Sequence, residues 1–266
     1  MYKLIAVDMD GTLLNEDKKI SKRTHDVISR AKKIGKKVVL ATGRPLEGVK
    51  PYIKELNLLE DDDYVITFNG ALVQSTKEEN IILDLPLSYE DYLGLYKVSQ
   101  ELGVNVHALT DKSVLTPKNN PYTEIESSIN SIPIIESPVE SVEPDTLIVK
   151  VMFIDEPELL DNAFANLPKW VLDKYTVVRS TPYFLEFLDL RVNKGIGVSA
   201  VAEKLGLSRE EVICVGDAGN DLAMIEYAKL GVAMGNATED VKSIADYITH
   251  SNEEDGVAHV IEKFML

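Results

Sequence analysis

The sequence predicts an α/β fold: a parallel-sheet core interrupted by an inserted α+β domain. Three observations predict it. Near both ends of the chain, short runs that are apolar at every position alternate with amphipathic helical stretches, the pattern of a parallel sheet covered on both faces. Between about Leu83 and Leu188 this alternation gives way to strands joined by tight turns. Polar residues also recur directly after the apolar runs, at the strand ends where α/β sheets bind ligands.

Taken in order, "KLIAVDMD" is a buried strand, "SKRTHDVISRAKKIGK" a helix opened by the candidate cap Ser21, and "KVVLATGR" a second buried strand. "LEGVKPYIKEL" follows as a helix and "DYVITFNG" as a strand. The C-terminal stretch repeats the pattern: "GIGVSAVAEKLG" helix, "EVICVGDAG" strand, "NDLAMIEYAK" helix, "LGVAMG" strand, "TEDVKSIA" helix, "DYIT" strand and "GVAHVIEKFM" helix. In the middle, "LSYEDYLGLYKVSQELG" is a helix, "VNVHALT" an alternating strand and "TPKNNPYT" a turn. The strands "TLIVKVMFI", "KYTVVRS" and "YFLEFLD" follow, with the helix "PELLDNAFANL" between the first two. These predict an antiparallel or mixed sheet with helices on one face. The expected division is a core of residues 1–83 and 189–266 and an insertion of residues 84–188, tolerated where two loop ends lie close together.

A formal charge of −16 argues against general binding of nucleic acid or of an anionic membrane, which both want a basic surface. It leaves room for a small anion where a few Lys, Arg and backbone N–H groups converge. The single cysteine, Cys214, allows no disulfide within the chain and is expected as a small buried hydrophobe in a reducing compartment. The opening "MYKLIAVDMDG" has neither a signal-peptide pattern nor a membrane span, so a cytoplasmic location is expected. The acidic run "EDDD" at 60–63 is expected as a solvated turn. Oligomeric state, monomer or homo-oligomer, is not legible.

Asp8 and Asp10 follow the first strand, Thr42, Gly43 and Arg44 the second, and Asn69 and Gly70 the third; Asp217 and Asp221 follow the strand near residue 215, and Asn236 the next. An Asp or Asn at a strand end is ordinarily a turn former. Several converging on one sheet edge imply a site.

"DMDGT", "ATGR", the Lys of "VNKG" and "GDAGND" resemble, in that order, the four motifs of the haloacid-dehalogenase superfamily. The insertion between the second and third motifs resembles its Cof-type (class IIB) phosphatases, and the resemblance covers essentially the whole chain. It implies a HAD-like Rossmannoid core with a C2B-type cap, and a Mg²⁺-dependent phosphatase of small phosphorylated metabolites, with sugar phosphates expected. Ala218 and Gly219 depart from the bulkier or acidic pair that relatives often carry, which bears on pocket shape and not on the metal acid.

The resemblance implies roles that the residue chemistry supports. Asp8 attacks phosphorus to give an aspartyl-phosphate, and Asp10 protonates the leaving alcohol and then deprotonates the hydrolytic water. Met9 between them is expected in the core. The family pattern puts Asp8, the backbone carbonyl of Asp10 and Asp217 on Mg²⁺, a cation that favours carboxylate, carbonyl and water oxygens. For Asp221 four roles stand open: ligand, ligand through water, partner of Lys194, or helix cap. Thr42, Gly43 and Lys194 hold phosphoryl oxygens, Gly11 and Thr12 form an anion nest, and Asn220 orients. Arg44 and Glu186 are substrate-proximal candidates, Glu186 having Lys194 and Arg44 as its other expected partners. His107 is a candidate beside its structural reading. An inserted domain of this size can close over a small substrate and would obstruct a phosphoprotein.

Other readings are weaker. A phosphomutase generally carries a different cap; dehalogenation needs no metal cluster; a binding-only regulator needs no acid–base two residues from a nucleophile. A phosphatase of pyridoxal phosphate or flavin mononucleotide is the nearer rival.

Overall fold

The computed structural model describes residues 1–266. Its first elements are β1 (Leu4–Asp8), α1 (Lys22–Lys33), β2 (Lys37–Ala41), α2 (Leu46–Glu55), β3 (Tyr64–Thr67), β4 (Leu72–Ser75) and β5 (Ile81–Asp84). Next come α3 (Tyr89–Leu102), β6 (Asn105–Thr110), β7 (Val114–Thr116), α4 (Pro121–Asn130), β8 (Ile134–Glu136) and β9 (Ile148–Ile154). They are followed by α5 (Pro157–Ala165), α6 (Lys169–Lys174), β10 (Tyr175–Thr181) and β11 (Phe184–Asp189). The chain closes with α7 (Lys194–Lys204), β12 (Val212–Gly216), α8 (Leu222–Tyr227), β13 (Leu230–Ala233), α9 (Glu239–Ile244), β14 (Tyr247–Ile248) and α10 (Gly256–Phe264). It divides into two compact units: residues 1–44, 49–84 and 193–266, and residues 45–48 and 85–192.

The first unit holds an eight-stranded sheet in the order β14-β13-β12-β1-β2-β3-β4-β5. Six strands are parallel, from β14 to β3, and β1 lies inside with every residue buried. Alternation sends Leu4 and Ala6 to one face, where they join Val198, Val201 and Met224 from α7 and α8. Ile5 and Val7 point the other way. α1 packs on β2 and α10, and Ser21 caps it by accepting from the Thr24 N–H at 3.0 Å. The parallel core continues into an antiparallel edge, β4 and β5, that the sequence pattern does not announce. Cys214 is fully buried, and that burial pushes its thiol up. The expected solvated turn at 60–63 is only partly so: Asp63 is buried and accepts from Lys32 Nζ at 3.2 Å.

The second unit is a six-stranded mixed sheet, β10-β11-β9-β6-β7-β8, antiparallel except for β7 with β8. Val106, Ala108, Val151, Phe153, Leu185 and Phe187 form one apolar face under residues of α3, α5 and α6. The expectation of helices on one face alone is corrected by α4. Asn120 caps it, and its Thr123 bonds to His107, which points away from that core. No helix of the chain is long and apolar enough to cross a membrane.

Candidate active site

The site is built at the carboxyl ends of β1, β2, β3 and β12. Asp8 is the last residue of β1 and Met9 after it is fully buried. The chain then turns at Gly11, whose φ of +87° is glycine territory. A side chain there would also collide with the Asp217 carboxylate. Gly11 therefore lets the turn after β1 approach the turn after β12. Thr12 ties the two by donating to Asp217 Oδ1 at 2.8 Å, and Asn236 Nδ2 donates to the Gly11 carbonyl at 2.8 Å.

Lys194, the first residue of α7, is completely buried and lies between two carboxylates, Asp8 at 2.5 Å and Asp221 at 2.6 Å. Burial works against its charge, but Asp8 and Asp221 outweigh that and hold the ammonium above its ordinary range. Asp221 is equally buried. Its other oxygen accepts the N–H groups of Asp217 and Ala218 at 2.9 and 3.0 Å, and it makes no capping bond to α8. Of the roles open to Asp221, the helix cap is thus not the one seen; it orients Lys194 and closes the turn after β12.

Asp8, Asp217 and Asp221 each offer a carboxylate oxygen within 4.8 Å of the others. Three acids around one ammonium leave negative charge uncompensated. Burial, opposed by Lys194 and reinforced by Asp221 and Asp217, pushes Asp8 up to about 7. Burial also raises Asp217, partly offset by Thr12. A hard divalent cation among these oxygens would relieve that repulsion, and Mg²⁺ suits an all-oxygen donor set.

The Asp10 carboxylate stands outside this cluster. Arg44 grips it through Nε at 2.8 Å and a terminal nitrogen at 2.6 Å, and Lys18 Nζ adds a bond at 2.8 Å. Burial alone would raise Asp10, but those donors outweigh it and hold the carboxyl below its usual range. Lys18 was missed from the sequence; it sits in an irregular loop with no pattern to single it out. Thr42 is buried, with its hydroxyl accepting the Arg44 N–H at 3.2 Å, and Asn220 donates to Asn69 at 3.0 Å.

Glu186 lies on β11 within the second unit, paired with Lys150 at 3.1 Å, and Lys150 reaches Glu126 at 3.4 Å. His107 on β6 is fully buried between Thr123 Oγ1 and Met152 Sδ.

A model of the haloacid dehalogenase-like hydrolases matches residues 5–261. The chain belongs to that family. It is 46% identical to a putative phosphatase, YxeH, of Bacillus subtilis over all of this chain and 99% of the relative. It is 33% identical to the 5-amino-6-(5-phospho-D-ribitylamino)uracil phosphatase YcsE of Bacillus subtilis, over 99% of this chain and 96% of that one. The solved structure of BT4131, described as a HAD subclass IIB sugar phosphatase, superimposes with a TM-score of 0.77 at 26% identity, covering 99% of both chains. This haloacid dehalogenase-like chain therefore has the superfamily's α/β core with an inserted cap of mixed sheet and helices.

Proposed function

We propose that the chain is a Mg²⁺-dependent phosphomonoesterase that hydrolyses small sugar phosphates through an aspartyl-phosphate on Asp8. The observation that carries this reading is the buried lysine shared by Asp8 and Asp221 beside Asp217. It is a strand-end carboxylate held in place with cationic support and room for one more cation. Asp8, the Asp10 carbonyl, Asp217 and Asp221 would hold Mg²⁺, which when bound supplies charge neutralisation for the phosphoryl group.

The chain's own residues do the rest. Asp8 attacks phosphorus; Lys194, Thr42, Gly43 and the N–H groups about Gly11 hold the equatorial oxygens, with Asn220 orienting. Asp10, anionic against Arg44 and Lys18, takes up a proton from solvent as phosphate charge draws near and gives it to the leaving alkoxide as the ester P–O bond breaks. It then recovers a proton from the water that splits the acyl phosphate. Arg44 acts on the substrate through its hold on Asp10.

Sugar phosphates are favoured by the likeness to BT4131 and by the phrases "TFNGALVQ", "YFLEFLDLRVNKG", "AMIEYA" and "SNEEDGVA", which are similar to the bacterial sugar phosphatase YidA. The likeness to YcsE favours a second reading, phosphorylated metabolites with a heteroaromatic ring such as flavin mononucleotide or pyridoxal phosphate. A cytoplasmic location fits either.

The test is phosphate release from a panel of sugar phosphates, pyridoxal phosphate and flavin mononucleotide, with Mg²⁺ or chelator, for the parent and Asp8→Asn. Release that needs both metal and Asp8, fastest with a sugar phosphate, is the expected outcome. No release from any member would refute the reading.

A further inference from the structure

After β3 the chain passes through two non-glycine residues in the left-handed region, Phe68 at φ +49° and Asn69 at φ +58°. Asparagine tolerates that backbone, but a bulky aromatic there is an outlier, and outliers persist where the surroundings over-determine them. The surroundings are identifiable. Phe68 is buried, its N–H donates to the Arg44 carbonyl at 3.2 Å, and the Asn69 N–H donates to the Thr42 carbonyl at 2.9 Å. The bent segment thus backs the loop that carries Thr42, Gly43 and Arg44.

The Asn69 side chain reaches further. Its Oδ1 accepts from Asn220 Nδ2 at 3.0 Å, and a Cβ built on Gly43 would stand 3.2 Å from both Asn69 Oδ1 and Nδ2. One carboxamide therefore meets the loop after β2 and the loop after β12 together. Ending a strand needs none of this, since glycine turns left-handed without strain.

We propose that Asn69 is a positioning residue that locks the Thr42–Gly43 loop to Asn220, fixing the spacing of the donors around a phosphoryl group. The proposal rests on the phosphatase reading above and adds a residue to its machinery. Misplacing donors weakens transition-state binding more than ground-state binding, so the effect falls on kcat.

Two variants separate the side chain from the backbone. Asn69→Gly keeps the left-handed turn and deletes the carboxamide; Asn69→Asp tolerates the same backbone and keeps an oxygen for Asn220. With p-nitrophenyl phosphate as the probe, Asn69→Gly is expected to keep its melting temperature and lose about 10- to 100-fold in kcat, with KM changed less than about threefold. Asn69→Asp is expected to recover kcat to within about fivefold of the parent. On an Asn220→Ala background, Asn69→Gly should cost less than about twofold further, because the lock is already open.

Asn69→Gly with kcat within about twofold of the parent, or losses that multiply in the double variant, would reduce Asn69 to a turn former. A parent protein silent toward the probe counts against the phosphatase reading instead. Affinity for inorganic phosphate by calorimetry then decides: a drop of about fivefold or more in Asn69→Gly supports the lock, and unchanged affinity overturns it.

Discussion

Each unit buries one lysine between two carboxylates, and the two clusters differ in what surrounds them. Lys150 lies in the middle of β9 and pairs with Glu186 on β11 and Glu126 on α4. Burial opposes its charge, yet the two glutamates hold the ammonium above its ordinary range. Lys194 starts α7 at the edge of a parallel sheet, and its cluster carries a further acid, Asp217, held by a turn that only glycine permits at position 11. The Lys150 cluster sits within regular strands and helix; the Lys194 cluster sits at a strand end, a helix start and the turn after β12, and is frustrated, with Asp8 pushed up to about 7 chiefly by burial. Buried ion pairs need not stabilise a fold relative to apolar packing. The contrast suggests that charge placed in regular structure serves the fold, whereas charge left unbalanced at a strand end serves chemistry.

The largest effect should come from Asp8→Asn, which replaces the proposed nucleophilic carboxylate with a neutral carboxamide. Turnover of any accepted phosphate is expected to fall about 10⁴-fold or more, measured by phosphate release. Residual activity above about a tenth of the parent would break the assignment of chemistry to this cluster.

The matched lysine variants sharpen the contrast most directly. Lys194→Met should lower kcat about 10²- to 10³-fold in folded protein. Lys150→Met leaves two buried glutamates without their cation and should cost about 3–5 kcal/mol in urea unfolding, while kcat of the folded fraction changes less than about tenfold. The reverse pattern, with Lys150→Met inactive yet stable, would overturn the division of labour.

His107 gives a pH test of the second unit. Burial, aided by the charge of Lys150, drives its pKa down to about 3 from the ordinary 6.5. The unfolded chain therefore binds a proton that the folded one refuses between those values, so stability is full above about pH 6.5 and is lost as pH falls through this window. At pH 5 the loss is about 2 kcal/mol. His107→Gln should flatten the dependence of the urea midpoint on pH over that range; an unchanged slope would place the titration elsewhere.

The smallest effect is local. Ser21→Ala removes the cap of α1 and should cost about 1 kcal/mol by thermal unfolding, with turnover unchanged.

Much of the fold was legible because its signals are local. Strands such as "LIAVD" and "VICVG" are apolar throughout, a pattern that needs no partner to be recognised. The elements missed are short or half-exposed. β7 and β8 have three residues each and α6 has six, too few to show a period, and β5 is partly exposed along its length. α4 was hidden because its start, "NNPYT", carries turn residues that serve equally as a helix cap.

The sequence by itself determined the parallel α/β core, the presence of an inserted α+β cap and the set of acids, lysine and glycines that stand at strand ends. Tertiary structure alone decided the pairings. Arg44 and Lys18 take Asp10, Lys194 is shared between Asp8 and Asp221, and Glu186 goes to Lys150. Spacing along a chain fixes which face a side chain leaves from. Which charge meets it there depends on residues up to 186 positions away, brought close by sheet order and by turns such as that at Gly11.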